Sequence, residues 1–294
     1  MNQQRIGVVG MGIMGVPMAA NMVKSRLPVM VYNRTIEKTR PLKEAGALVA
    51  EGPRSLFEWA DVVVLMLAGP TAIDEVLFGN PGALSSLHGK VVANMGTVAP
   101  MYSQALSSRL ENSGIRYVEA PVFGSRKPAE EGTLVVLNAG DELLLGTLQS
   151  VFDAVGKKTV RCGDVPSGMA TKIATNLLLS AHVEALAEAL HFVERAGGNP
   201  AAYMDIVLSG PLASEFYRMK APKFLSRDFS PQVSTTRVAE SLHYVVDTAH
   251  DTGAFAPSAA MNLHLYERAI ALGLAEEDAT AVIKVLESRP EEDE

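Results

Sequence analysis

The stretch GMATKIATN, residues 168–176, places one lysine, Lys172, among small and apolar neighbours and follows it four positions later with an amide, Asn176. On a helix these two stand at i and i+4 and face the same way, so together they can hold one small polar molecule. An ammonium in that position has a chemistry to offer. It stabilises charge building on a carbonyl oxygen under attack and donates the proton that the nascent alkoxide needs. Burial beside apolar residues lowers the lysine pKa toward working pH, because desolvation disfavours the charged form. Spacing alone leaves a second reading open, a lysine that snorkels out of the first turns of a helix.

A second pattern is GMGIMG. Gly10-Met11-Gly12-Ile13-Met14-Gly15 directly follows the apolar run RIGVV and opens a helical pattern, the context in which G-x-G-x-x-G binds a dinucleotide. Gly10 permits the tight turn, Gly12 lets backbone approach a pyrophosphate, and Gly15 lets the helix lie close on the strand. The helix start then turns unpaired N–H groups and a positive dipole end toward the phosphates. The next apolar run ends in Tyr32-Asn33-Arg34-Thr35, where an NAD-binding chain would place Asp or Glu on the ribose hydroxyls. A carboxylate repels a 2′-phosphate, whereas a guanidinium grips it bidentately and stacks on adenine. The pattern therefore predicts NADP(H) in preference to NAD(H), against the plainer alternative of a solvated arginine after a strand.

These groups need elements to position them. Apolar, β-branched runs at 5–10, 28–33, 60–67, 89–95, 115–121 and 132–140 alternate with helix-like stretches such as 15–25. Strands covered on both faces read this way, and the repetition predicts parallel βαβ units in a doubly wound sheet. Residues 151–165 add a helix and a short strand. From Ser167 the pattern is helical: 167–198 has no proline and ends in Gly197-Gly198, a helix of ~45 Å at ~1.5 Å per residue that suits a link between two domains. Further helices are expected at 200–209, 214–225, 233–253, 257–272 and 275–287, before an acidic RPEEDE tail. The expected fold is α/β, an N-terminal Rossmann domain (1–163) joined by a long interdomain helix to an all-helical domain (164–294).

The chain has 294 residues, 48% hydrophobic and 20% charged, with a net charge of -7 and no basic block. Two cores fit this length, and the electrostatic footprint of nucleic-acid binding is missing. Neither a leader pattern nor a transmembrane run is evident, and the single Cys162 cannot form an internal disulfide; a soluble cytoplasmic protein with no membrane partner is expected. Six scattered histidines include no pair in metal-binding register, so no metal is expected.

In order along the chain, GVVGMGIMGVPMAANMVKS, VYNRT, EAPVFGSRKPAEEGTL and GMATKIATN resemble the β-hydroxyacid dehydrogenase family, which includes the 3-hydroxyisobutyrate dehydrogenases and is related to 6-phosphogluconate dehydrogenase. The segment GSRKPAEEGTL is most similar to the glyoxylate/succinic semialdehyde reductase branch. The resemblance implies an NADPH-dependent reductase of a small aldehyde or ketone, assembled as a homodimer or homotetramer. It places the catalytic lysine on Lys172 and its companion on Asn176. Cofactor contacts fall on Gly10 to Gly15, on Asn33, Arg34 and Thr35, and on Leu67, Ala68 and Thr97; substrate contacts fall on Val122, Phe123, Gly124 and Glu240.

Three positions depart from the family pattern. Ala-Pro-Val-Ser-Gly here reads Ala120-Pro121-Val122-Phe123-Gly124, and a phenyl ring cannot replace the hydroxyl that helps to hold a carboxylate. Asp-x-Ser-Thr after the fourth expected strand reads Asn94-Met95-Gly96-Thr97. A Lys-Asp pair, placed from Phe229-Ser230-Pro231, reads Glu240-Ser241, with Arg237 one turn earlier. The expectation is an altered substrate: a neutral aldehyde or ketone, or an imine or amine. A protein that binds NADP without catalysis is the rival from another class.

Overall fold

The computed structural model describes residues 3–79 and 82–288; the RPEEDE tail lies outside them. Contacts divide the chain into two compact units, 1–172 and 173–294.

The first unit is built on one sheet. Its strands are β1 (Ile6–Val9), β2 (Val29–Tyr32), β3 (Leu48–Val49), β4 (Val62–Leu65), β5 (Val91–Asn94), β6 (Arg116–Glu119), β7 (Val122–Phe123), β8 (Leu134–Ala139) and β9 (Gly156–Gly163). They lie in the order β3-β2-β1-β4-β5-β6-β8-β7, with β9 paired to β8. From β3 to β6 every pairing is parallel, in the order of a dinucleotide-binding fold. β8 then runs antiparallel to β6 and β7 and parallel to β9, so the expected parallel sheet is mixed at one end. The reason is connection length: β6 and β7 run in the same direction across Ala120-Pro121, both against β8, and residues 124–133, which join β7 to β8, are fewer than the dozen or so that a parallel crossover needs.

Alternation along each strand feeds two cores. Val8, Val62 and Val64 pack with Met18, Met22 and Phe152 on one face, while Val63, Leu65 and Val92 pack with Leu56, Phe57 and Leu106 on the other. That two-sided burial is why the strands read as unbroken apolar runs.

The long helix spans Ser167–Arg195. It ends where Gly197 takes φ +79° and Gly198 N–H donates to Val193 O at 2.8 Å, a left-handed stop that glycine adopts without strain. In the second unit its residues Val183, Leu186 and Leu190 pack with Phe224, Leu242, Tyr266 and Ile283. Helices at Pro200–Ser209, Glu215–Ser226, Thr235–Thr252 and Pro257–Ala271 match the sequence pattern closely. The expected last helix is shorter, a 3₁₀ turn at Ala279–Ala281 and an α-helix at Val282–Glu287. Residues 275–278 serve instead as acceptors: Thr235 N–H donates to Glu277 O at 2.8 Å and Thr236 N–H to Ala275 O at 3.1 Å. Among the described residues no helix is long and apolar enough to cross a membrane.

Candidate active site

In the first unit the carboxyl ends of the parallel strands form one edge: Val9, Leu65, Asn94 and Glu119 stand in register across β1, β4, β5 and β6. The strand order reverses between β1 and β4, and crevices for ligands open at such points. The glycine loop leaves from there. Gly10 holds φ +102°, and a Cβ on Gly15 would overlap the Gly10 carbonyl oxygen. Both positions are therefore closed to other residues for reasons of packing. Gly12 is different: it is exposed, and a Cβ built there meets nothing within 4 Å. This open cradle beside a helix start is the space a pyrophosphate needs, so the chain fits a dinucleotide.

Asn33 links the two halves of the cradle. Its Oδ1 accepts the Met11 N–H at 2.9 Å and its Nδ2 donates to Thr35 O at 2.8 Å. Arg34 is 88% exposed, with Glu75 at 3.5 Å as a loose partner. A cleft of about 390 Å³ at the end of β2 is lined by Tyr32, Arg34, Lys43, Ala50 and Glu51 among others. Lys43 adds a second cation that no motif pointed to. Leu67 borders Gly10 and Gly96: a Cβ on Gly96 would lie 2.9 Å from Leu67 O. The loss of serine at 96 thus goes with a close approach of backbone. Ala68 is exposed and Thr97 half-buried on the same edge.

Lys172 closes the first unit. It is only 8% exposed, and desolvation lowers its pKa to about 8. Its Nζ lies 5.5 Å from the centre of the Phe123 ring. Phe123 and buried Val122 are fixed by antiparallel pairing to Val135 and Val136, and Gly124 leaves this strand at φ +138°. Phe123, a substrate candidate from the sequence, therefore belongs beside the lysine.

In the second unit Asn176 donates to Ser241 Oγ at 2.7 Å. Sequence reasoning set Glu240 at this point, but it is the neighbouring Ser241 that meets the amide. Glu240 turns to Arg237, at 2.6 Å, with both side chains about half exposed. The anion expected to reverse the local field is thus offset by a cation on its own helix. One group of possible metal ligands, His191, Glu194 and Glu287, comes together among the described residues. Arg227 already lies 2.5 Å from Glu287 and neutralises it. The helix-to-helix approach of Glu287 was not visible in the histidine spacing.

A mixed sheet with this strand order, an open glycine cradle at its switch point and a desolvated lysine at the start of a long helix define a pyridine-nucleotide-dependent oxidoreductase. Residues 5–163 match the NAD binding domain of 6-phosphogluconate dehydrogenase, and residues 166–286 match the NAD-binding of NADP-dependent 3-hydroxyisobutyrate dehydrogenase. The chain belongs to the β-hydroxyacid dehydrogenase family and is an oxidoreductase acting on an alcohol/carbonyl couple. It is 32% identical over 284 residues to glyoxylate/succinic semialdehyde reductase 2, chloroplastic, of Arabidopsis thaliana, covering 96% of this chain and 79% of that protein. To glyoxylate/succinic semialdehyde reductase 1 of the same plant it is 30% identical over 282 residues, covering 96% and 98%. A solved 3-hydroxyisobutyrate dehydrogenase from Salmonella typhimurium superposes with a TM-score of 0.87 at 26% identity, over 96% of this chain and all of that one.

Proposed function

We propose that this chain reversibly reduces a small aldehyde or ketone with NADP(H), and that Lys172 supplies the proton. The observation that carries the reading is a buried Lys172 with its pKa lowered to about 8. At pH 7 such a group is about ten parts ammonium to one part amine, ready to donate, while above pH 8 it is ready to accept in the reverse direction. The nicotinamide supplies the hydride when bound. Asn176 is read as the orienting amide, with Ser241 fixing its direction. Cofactor binding is assigned to 1–163, which also brings Val122, Phe123 and Gly124 to the substrate, and 164–294 is assigned to the substrate and to oligomerisation.

The preference for NADP(H) is supported by Arg34 and Lys43 in one cleft, which Glu51 also lines, and by Asn33 in place of an acidic residue directly after β2. Arg34→Ala is expected to raise the Kd of NADPH about 10- to 100-fold, as loss of a charge-assisted phosphate contact would, and to leave that of NADH within about twofold. Equal losses for both, in a fluorescence titration, would remove the basis for the preference.

Relatives named for glyoxylate and succinic semialdehyde make these the reference substrates. Phe123 in place of serine favours a larger or more apolar carbonyl, a neutral ketone or an imine among them, because the side chain at 123 offers a phenyl ring and not a hydroxyl. NADPH oxidation against a panel of aldehydes, ketones, keto acids and imines tests the whole reading; no turnover with any of them would leave a binding protein. Phe123→Ser is expected to raise kcat/KM for glyoxylate or succinic semialdehyde about tenfold. No gain in a folded variant would count against the assignment of Phe123 to the substrate. Exposed Phe192 and Ile206 on the second unit, 71% and 69%, support a homodimer or homotetramer, and the lone Cys162 supports a cytoplasmic setting.

A further inference from the structure

Glu119, the last residue of β6, is fully buried at 0% exposure. Its Oε2 accepts the N–H of Met169 at 3.1 Å, from a strand end 50 residues away. The first N–H groups of a helix have no partner inside it. For the long helix, Ser167 N–H is taken by Asp164 O at 2.8 Å and Ala170 N–H by Pro166 O at 3.0 Å. Those of Gly168 and Met169 are left, and both help to hold the Glu119 carboxyl. A Cβ on Gly168 would lie 2.8 Å from Oε2, so the glycine is what admits the carboxyl to the turn. Three residues after Met169 stands Lys172.

We propose that Glu119 is a positioning residue of the active site: by holding the first turn of the long helix it fixes the depth and rotation at which Lys172 is presented. This rests on the reading of Lys172 as proton donor. Helix starts are ordinarily capped by Ser, Thr, Asp or Asn at the N-cap. This one is held by a buried acid whose Oε1 makes no hydrogen bond among the described residues, an arrangement that costs folding energy. A second chain of contacts ties the neighbouring loop to the same edge. Asn94 Oδ1 accepts Gly96 N–H at 3.1 Å, Asn94 Nδ2 donates to Tyr117 Oη at 3.4 Å, and Tyr117 Oη lies 2.7 Å from Ser103 Oγ. Burial pushes the Glu119 carboxyl above its ordinary range, opposed by Ser103 and the two N–H groups. A neutral amide is therefore a close stand-in, whereas a shorter acid is not.

The test compares Glu119→Gln, Glu119→Asp and Glu119→Ala by kcat, KM, NADPH affinity and amide hydrogen exchange over 167–172. Glu119→Asp and Glu119→Ala are expected to lower kcat at least about tenfold through misplacement of the lysine, with the Kd of NADPH within about twofold and faster exchange over 167–172. Glu119→Gln should keep kcat within about threefold and keep the exchange protection. Wild-type kcat in Glu119→Asp overturns the proposal, as does equal damage in Gln and Asp, or a loss of NADPH affinity that tracks kcat. If Ala does not fold, the Asp and Gln pair decides. Undiminished turnover in Lys172→Met would fell the proton-donor reading instead, while the exchange pattern would still report whether Glu119 holds the turn.

Discussion

Lys172→Met is expected to lower turnover by about 10²- to 10⁴-fold, the usual contribution of a positioned acid, while NADPH still binds and the protein becomes more stable. The two effects have one cause. The lysine pKa falls from 10.5 to about 8 because burial strips water from the ammonium. The nearby Phe123 ring face favours the ammonium by about 1 kcal/mol, and desolvation outweighs it. Below pH 8 both folded and unfolded chains carry the charge, and the folded one bears the full penalty, on the order of 3 kcal/mol. Between about pH 8 and 10.5 the folded state releases its proton while the unfolded state keeps it, so this group makes stability rise with pH in that window. Methionine removes both the penalty and the pH dependence. Denaturant melts of wild type and variant at pH 7 and pH 10 would show a difference that shrinks at the higher pH; a difference that grows would contradict the assignment. In the wild type, carbonyl reduction should fall as pH rises through about 8 and alcohol oxidation should rise there. Turnover of the variant near the wild-type rate would end the reading of Lys172 as donor.

Asp278→Ala is expected to destabilise the second unit by about 3–5 kcal/mol, the cost of leaving one partner of a buried pair uncompensated. Asp278 and Lys220 lie 3.0 Å apart at 0% and 5% side-chain exposure. Asp278 also accepts the N–H groups of Gln232 at 2.9 Å, Val233 at 3.3 Å and Thr280 at 3.2 Å, so one carboxylate joins three segments. Burial would raise its pKa, but Lys220 and these N–H groups hold it below the ordinary carboxylate range. The contribution is complete above the unfolded pKa, near 4, and disappears as pH falls through the folded value. In urea melts, Lys220→Met added to Asp278→Ala should recover a large part of the loss, since it removes the unpaired ammonium. A loss below about 1 kcal/mol for Asp278→Ala would mean that the pair is replaceable by water.

Periodicity and local spelling determined a great deal. The valine-rich runs had to be covered strands, GMGIMG had to sit at a strand-to-helix turn, and the proline-free 167–198 stretch had to be helical, because each signal is complete within a few residues. Lys172 and Asn176 were legible as a pair for the same reason. What lay beyond the sequence depends on which distant segments meet. Ser241 reaches Asn176 across 65 positions, and Lys43 joins Arg34 only once β2 and β3 are folded side by side. The antiparallel pairing of β8 follows from the connection at 124–133, too short for a parallel crossover. Glu119 shows the difference most clearly. In the sequence it is one acid before Ala120-Pro121; in the fold it is the partner of Met169 at the start of the helix that carries Lys172. Local spelling encodes elements and backbone cradles, whereas a buried acid acquires its role only from the N–H groups that tertiary packing brings to it.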